Sequence, residues 1–190
     1  RIIRASGTAI LLSASSDPIL VSCLSDISAS FCVEQPASKT DAVSAAITKH
    51  IADSIHAADP QAKVLIVGDI NDDPTDKSTK EVLKARRKAA DTEPDGYFNA
   101  TWPLFDKGIG SLCYQDKWNL YDQLIISGNL LGKDRSTLKF WKAEIFNRDF
   151  LTTQEGKRKG YPWRTFSSNT FINGYSDHFP ALIYFVKEIR

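Results

Sequence analysis

Three short segments carry side chains whose types and spacing could do chemistry. The first is Gly68-Asp69-Ile70-Asn71-Asp72-Asp73-Pro74, directly after the apolar run Lys63-Val64-Leu65-Ile66-Val67. Ligands of α/β sheets bind at the carboxyl ends of strands, and a glycine there lets the backbone turn sharply. Asp69 and Asn71, two apart on an extended stretch, would point to one side and offer a carboxylate beside an amide donor. That pair suits a metal-bound water and a phosphate oxygen. The competing reading is an Asx-rich turn whose side chains bond their own backbone.

The second segment is Gly174-Tyr175-Ser176-Asp177-His178-Phe179-Pro180, just before the apolar run Ala181–Val186. Asp177 is a hard-cation ligand by type, and His178 titrates near neutrality and can move a proton. A capped surface turn is the alternative. The third is Asp122 within Trp118-Asn119-Leu120-Tyr121-Asp122-Gln123-Leu124-Ile125-Ile126. An acid in an apolar strand is costly without a partner, and His178 is the obvious one, unless Asp122 lies on a solvent face.

Elements must hold these segments in place. Lys63–Val67 reads as a strand buried on both faces, and Trp118–Ser127, Leu138–Ile145 and Ala181–Val186 as further strands. Ser38 or Thr40 can cap a helix that ends at Ala58-Asp59-Pro60, with Val43, Ala46, Ile47, Ile51 and Ile55 as its apolar stripe. His50 and His56 fall on it as partly exposed histidines. A second helix is expected from about Lys77 to Ala90, with Lys84, Arg86, Arg87 and Lys88 as a solvated face. Residues 1–37 hold eight serines and few charges, and only Ile19-Leu20-Val21 reads as a strand there. Helix, strand, helix and then strands predict an α/β layered fold.

The 190 residues suit one domain with a real core, and 42% hydrophobic with 25% charged side chains argue against disorder. A formal net charge of +1 gives no global attraction to nucleic acid or anionic membrane. No apolar run reaches the length of a transmembrane helix. Arg1–Ser16 only faintly mimics a signal peptide. The sequence contains no Met, so a processed chain or a piece of a longer protein is expected. Cys23, Cys32 and Cys113 form no metal-type cluster and read as small buried hydrophobes.

Taken in order, G-D-x-N-D-x-P, an acid in a strand, and S-D-H-x-P before a last strand resemble the endonuclease/exonuclease/phosphatase superfamily. Flanking segments such as Trp102-Pro103-Leu104-Phe105 and Lys139-Phe140-Trp141-Lys142-Ala143-Glu144 are similar to bacterial members. The resemblance spans roughly residues 38–190 and implies a DNase I-like layered β-sandwich flanked by helices, here lacking part of its N-terminal side. It implies a divalent-metal-dependent phosphoesterase using Mg²⁺, or Mn²⁺ or Ca²⁺. Asp69 would orient or deprotonate the attacking water, and Asn71 would hold that aspartate and contact phosphate. Asp122 would pair with the catalytic histidine. Asp177 would serve the metal with Asp69, and His178 would contact the scissile phosphate.

Family members also carry an early Asn, a metal-ligating Glu and an N-x-H strand upstream of G-D-x-N. None is matched here; Ser30–Pro36, with Glu34, stands where N-x-H should lie. Residues 1–37 are therefore expected to be an atypical segment before the C-terminal part of the domain, 38–190. Between Gly132 and Arg164, nine Lys or Arg face four Asp or Glu, interleaved with aromatic residues. Such a mixture can serve nucleic acid, or simply be a strand–loop–strand unit with solvated charges. The first reading is phosphodiester hydrolysis of the nuclease type. A small-molecule or lipid phosphatase and an inactive fragment lacking the Glu are the alternatives. The resemblance is compatible with an exported protein, periplasmic or extracellular, and the compartment stays open.

Overall fold

The computed structural model describes the backbone of residues 3–5, 10–14, 20–23 and 37–188, and side chains over 42–188. Ile19, Cys32 and the Ser30–Pro36 segment with Glu34 lie outside the described residues. In chain order the elements are β1 (Ile3–Ala5), β2 (Ile10–Ala14), β3 (Leu20–Cys23), α1 (Ala37–Ala58), β4 (Lys63–Asp69), β5 (Tyr97–Asn99) and α2 (Trp102–Phe105). β6 (Leu112–Tyr114), β7 (Lys117–Asn119), β8 (Asp122–Ser127) and β9 (Lys139–Ile145) follow, then β10 (Phe166–Ser167), β11 (Thr170–Phe171) and β12 (Ala181–Val186).

Three layers result. A five-stranded sheet, ordered β3-β2-β4-β8-β5, packs on a three-stranded sheet, ordered β1-β12-β9, and all these pairings are antiparallel. Successive strand residues point to opposite faces, which divides β4 between two cores. Leu65 and Val67 join Leu124, Ile126, Phe179, Ala181 and Ile183 between the sheets. Val64 and Ile66 join Ala45, Ala52, Leu83, Ala85 and Ile125 beneath α1. β4 is thus buried on both faces as its composition demands, but by a helix and a second sheet rather than by parallel neighbours. This is an α/β, DNase I-like fold.

The apolar stripe of α1 is displaced from the one expected. Val43 is 60% and Ile47 43% exposed, while Ala45, Thr48, Ala52 and His56 are buried. Small residues let the helix approach Val64 and Ile66 closely, so its largest side chains flank the contact. His56 is not a partly exposed histidine. It is buried, its Nε2 lies 3.2 Å from the Ala62 carbonyl, and its ring stacks on Tyr97. Since a carbonyl only accepts, Nε2 carries the proton.

The expected helix over Lys77–Ala90 reduces to one π-helical turn, Ser78–Val82, closed by Leu83 N–H donating to Ser78 O at 2.8 Å. Lys84 then adopts φ +55°, in the left-handed region, and the chain runs on extended beside β5. Arg86 N–H donates to Tyr97 O, and Asn99 N–H donates to Arg86 O. Tertiary pairing here overrides helix propensity. Lys84, Arg86, Arg87 and Lys88 are exposed along that strand-like segment instead of forming a helix face. Trp118–Ser127 also divides, into β7 and β8, because the Asp73 carboxylate takes the Leu120 N–H at 2.6 Å. Cys113 is buried with a free thiol, as a small hydrophobe would be.

Candidate active site

β4 and β8 are neighbours in the five-stranded sheet, and their register sets Asp69 opposite Asp122. β4 ends there. Ile70 N–H still reaches Tyr121 O at 3.1 Å, then Asn71 turns the chain with φ +55°. Asp69 and Asn71 are therefore not two residues of one extended stretch. They meet through the backbone, with Asn71 N–H donating to Asp69 Oδ1 at 2.9 Å, and Asn71 itself is exposed. The Asx turn is thus formed, and it occupies only one of the two carboxylate oxygens.

The second oxygen faces His178, whose Nε2 lies 4.0 Å from Asp69 Oδ2. The other ring nitrogen, Nδ1, lies 2.7 Å from Asp122 Oδ2. Asp122 is buried, not on a solvent face. An ionised carboxylate only accepts, so Nδ1 carries the proton, and Nε2 is turned toward the opening beside Asp69. The hydrogen bond to Asp122 raises the His178 pKa above its ordinary value, against desolvation, and the charges of Asp122, Asp69 and Asp177 add to the rise.

His178 is delivered by a loop built for the purpose. Its N–H donates to Ser176 Oγ at 3.1 Å, a local turn of the kind the sequence alternative described. Tyr175 and Ser176 N–H groups both donate to Trp163 O. A Cβ on Gly174 would collide with the carbonyl oxygens of Trp163 and Arg164, so only glycine fits that approach. On the far side, Phe179 N–H donates to Ser111 O at 2.8 Å and its ring stacks on Trp118.

The rest of the acidic turn is structural. Ser78 Oγ donates to Asp72, and Asp73 N–H donates to Asp76 Oδ2 at 2.8 Å. Burial pushes the pKa values of Asp72 and Asp73 upward. Gln123, 1% exposed, anchors the turn by donating to Asp72 O at 3.0 Å and Leu120 O at 2.6 Å. Its Oε1 accepts from Asn99 Nδ2 at 2.7 Å and Thr101 Oγ1 at 3.1 Å. Ser111 is fully buried, with its Oγ 3.4 Å from Asp122 N. Sequence reasoning passed over Gln123, Asn99, Thr101 and Ser111. The only signal for Gln123 was a second polar residue beside Asp122 in an apolar strand.

Asp177, next to His178 in the chain, acts on that imidazole through its charge. It is exposed, and Arg164 Nη1 lies 3.9 Å from its Oδ2. Among the described residues, no group of three or more His, Cys, Asp or Glu side chains converges as a metal centre. Asp69 and Asp177 do fit a hard cation by donor type. A magnesium-like ion needs only one or two carboxylates when water and substrate phosphate complete its shell.

Two carboxylates, and a histidine paired to one of them, thus meet at the ends of β4 and β8 in an α/β sandwich. Residues 29–187 match the model of the Endonuclease/Exonuclease/phosphatase family, and the chain belongs to that family. No curated protein and no solved structure matches the chain. The family is one of metal-dependent phosphoesterases, so the general chemistry is hydrolysis at phosphate esters. No helix among the described residues is long and apolar enough to cross a membrane.

Proposed function

We propose that this chain hydrolyses a phosphodiester, in the manner of a nuclease, with water activated between Asp69 and His178. The observation that carries this reading is the 4.0 Å gap between Asp69 Oδ2 and His178 Nε2. It is too wide for a direct hydrogen bond. A water oxygen about 2.8 Å from each atom closes a triangle over it. Asp69 accepts a proton of that water and aims its lone pair at phosphorus. His178, held by Asp122, donates from Nε2 to a non-bridging phosphate oxygen beside the attacking water, and the departing alkoxide takes its proton from solvent. Asp122 fixes the ring and stabilises its charged form. Asn71, exposed beside Asp69, offers its amide to a second phosphate oxygen.

Asp177 and Asp69 are the residues that would hold the divalent cation, Mg²⁺ first and Mn²⁺ or Ca²⁺ as substitutes. Such an ion offsets charge on phosphate oxygens. A diester carries one ionised oxygen, so two donors and one cation suffice for it.

The test is hydrolysis of plasmid DNA and of bis(p-nitrophenyl) phosphate with Mg²⁺, beside His178→Ala and EDTA controls. Turnover abolished in both controls is the expected result. Absence of turnover by the folded chain overturns the reading in favour of phosphate binding without catalysis. Preference for a phosphomonoester would move the assignment to a phosphatase.

A further inference from the structure

Beside the site lies an open cavity of about 320 Å³ whose walls include Lys157, Arg158, Arg164, Glu155, Pro162 and Ile172. Three cations face one carboxylate there. Arg164 belongs to both places, because it lines this cavity while its Nη1 lies 3.9 Å from Asp177 Oδ2. Lys157 and Arg158 are exposed, and among the described residues neither has a carboxylate within ion-pair distance. Unpaired cations in a concave wall favour an anion.

The walls are held in shape by their own backbone. Thr153 N–H donates to Tyr161 O, Gly160 N–H to Thr153 O, and Trp163 N–H to Leu151 O, each at 2.8 Å. The loop is folded back on itself before any ligand arrives, which lowers the ordering cost of binding. Tyr175, whose N–H donates to Trp163 O beside Arg164, meets Phe150 edge to face at 6.0 Å, and both rings remain more than half exposed. Exposed rings beside cations are the pairing that serves stacked bases and their phosphates.

We propose that this cavity is a subsite for a second phosphate group of the substrate, next to the phosphate attacked at Asp69 and His178. The proposal rests on the phosphodiester reading above and narrows it to substrates with at least two phosphates. A polynucleotide and a phosphorylated polyol share that chemistry, and the aromatic pair favours the polynucleotide.

The test is binding without turnover. Fluorescein-labelled dodecathymidylate is titrated with protein in EDTA, followed by anisotropy, for the wild type and the Lys157→Ala/Arg158→Ala variant. Both substituted residues lie outside the hydrolytic group and are exposed, and an unchanged urea midpoint is the expected check on folding. The expected result is a Kd raised about tenfold, with a salt slope smaller by roughly 0.7 for each lost phosphate contact. Competition separates the two sources: displacement at lower concentration by unlabelled dodecathymidylate than by an inositol bisphosphate identifies the polynucleotide, and the reverse order identifies the polyol. An unchanged Kd and slope in the double variant overturns the subsite. So does failure of the wild type to bind either ligand. Hydrolysis of bis(p-nitrophenyl) phosphate, which has a single phosphate, reports separately on the catalytic reading. Its absence with binding intact overturns catalysis alone.

Discussion

Asp69 and Asp122 are register partners across β4 and β8, so two carboxylates leave adjacent strands on the same face and at the same end of the sheet. Like charges directly opposite one another destabilise a strand pair. His178 answers that cost by standing between them, 2.7 Å from Asp122 through Nδ1 and 4.0 Å from Asp69 through Nε2. The arrangement ties the stability of the strand ends to the charge on one imidazole.

His178 therefore titrates above 6.5 in the metal-free protein, and Asp122→Asn lowers its pKa. The sign for stability follows from that rise. The contribution is fully present below about pH 6.5 and is lost as pH rises through the folded value. Asp122→Asn should cost more stability at pH 6 than at pH 9. Imidazole NMR titration checks the first statement and urea midpoints at both pH values the second. A variant whose histidine titrates like the wild type's would disprove the coupling.

Asp69→Asn and His178→Ala should each lower kcat by about 10²–10⁴-fold on bis(p-nitrophenyl) phosphate. Two groups that share one water act as a unit, so the double variant should lose far less than the product of the single losses. Steady-state rates on all three variants decide this. Near-wild-type kcat in His178→Ala would remove the histidine from the reaction.

Gln123→Leu should destabilise the fold by about 1–3 kcal/mol for each buried polar group left unpaired. The groups at risk are the Asp72 and Leu120 carbonyls and the Asn99 amide. Urea denaturation measures the loss. Full stability in the variant would show that the Asp72 turn is held by other means.

Gly174→Ala places a methyl group against the Trp163 and Arg164 carbonyls and must push the His178 loop aside. A displacement near 1 Å costs about 10²-fold in rate. The expected outcome is a fall of that order in kcat/KM, with a smaller shift in unfolding midpoint than Gln123→Leu produces. Wild-type kinetics would mean the loop tolerates the shift.

These positions differ in how far the amino-acid sequence announces them. Lys63–Val67 and Ala181–Val186 are continuous apolar runs, and both are strands. The partner for Asp122 follows from the cost of an unpaired acid in an apolar strand. The face of α1 does not follow from hydrophobicity, because close approach to a sheet selects Ala45 and Ala52 over Val43 and Ile47. Lys77–Ala90 contains good helix formers, yet hydrogen bonds between Arg86 and β5 determine its shape. The left-handed turn at Asn71 and the network around Gln123 depend on contacts with residues distant in the chain. Spacing within one segment carries no trace of them.

The division of β4 between two cores has a kinetic consequence for the site. Val64 and Ile66 lie under the helix, while Leu65 and Val67 lie between the sheets. Amide protons along β4 and β8 are expected to exchange among the slowest, because both cores must open to expose them. Asp69 and Asp122 terminate those same strands, and their spacing is set by the β4–β8 register. His178 arrives on a loop held by a few backbone hydrogen bonds, and its opening has a smaller free energy. The two halves of the site are therefore expected to differ in local opening, with the two carboxylates on doubly buried strands and the histidine on a loop.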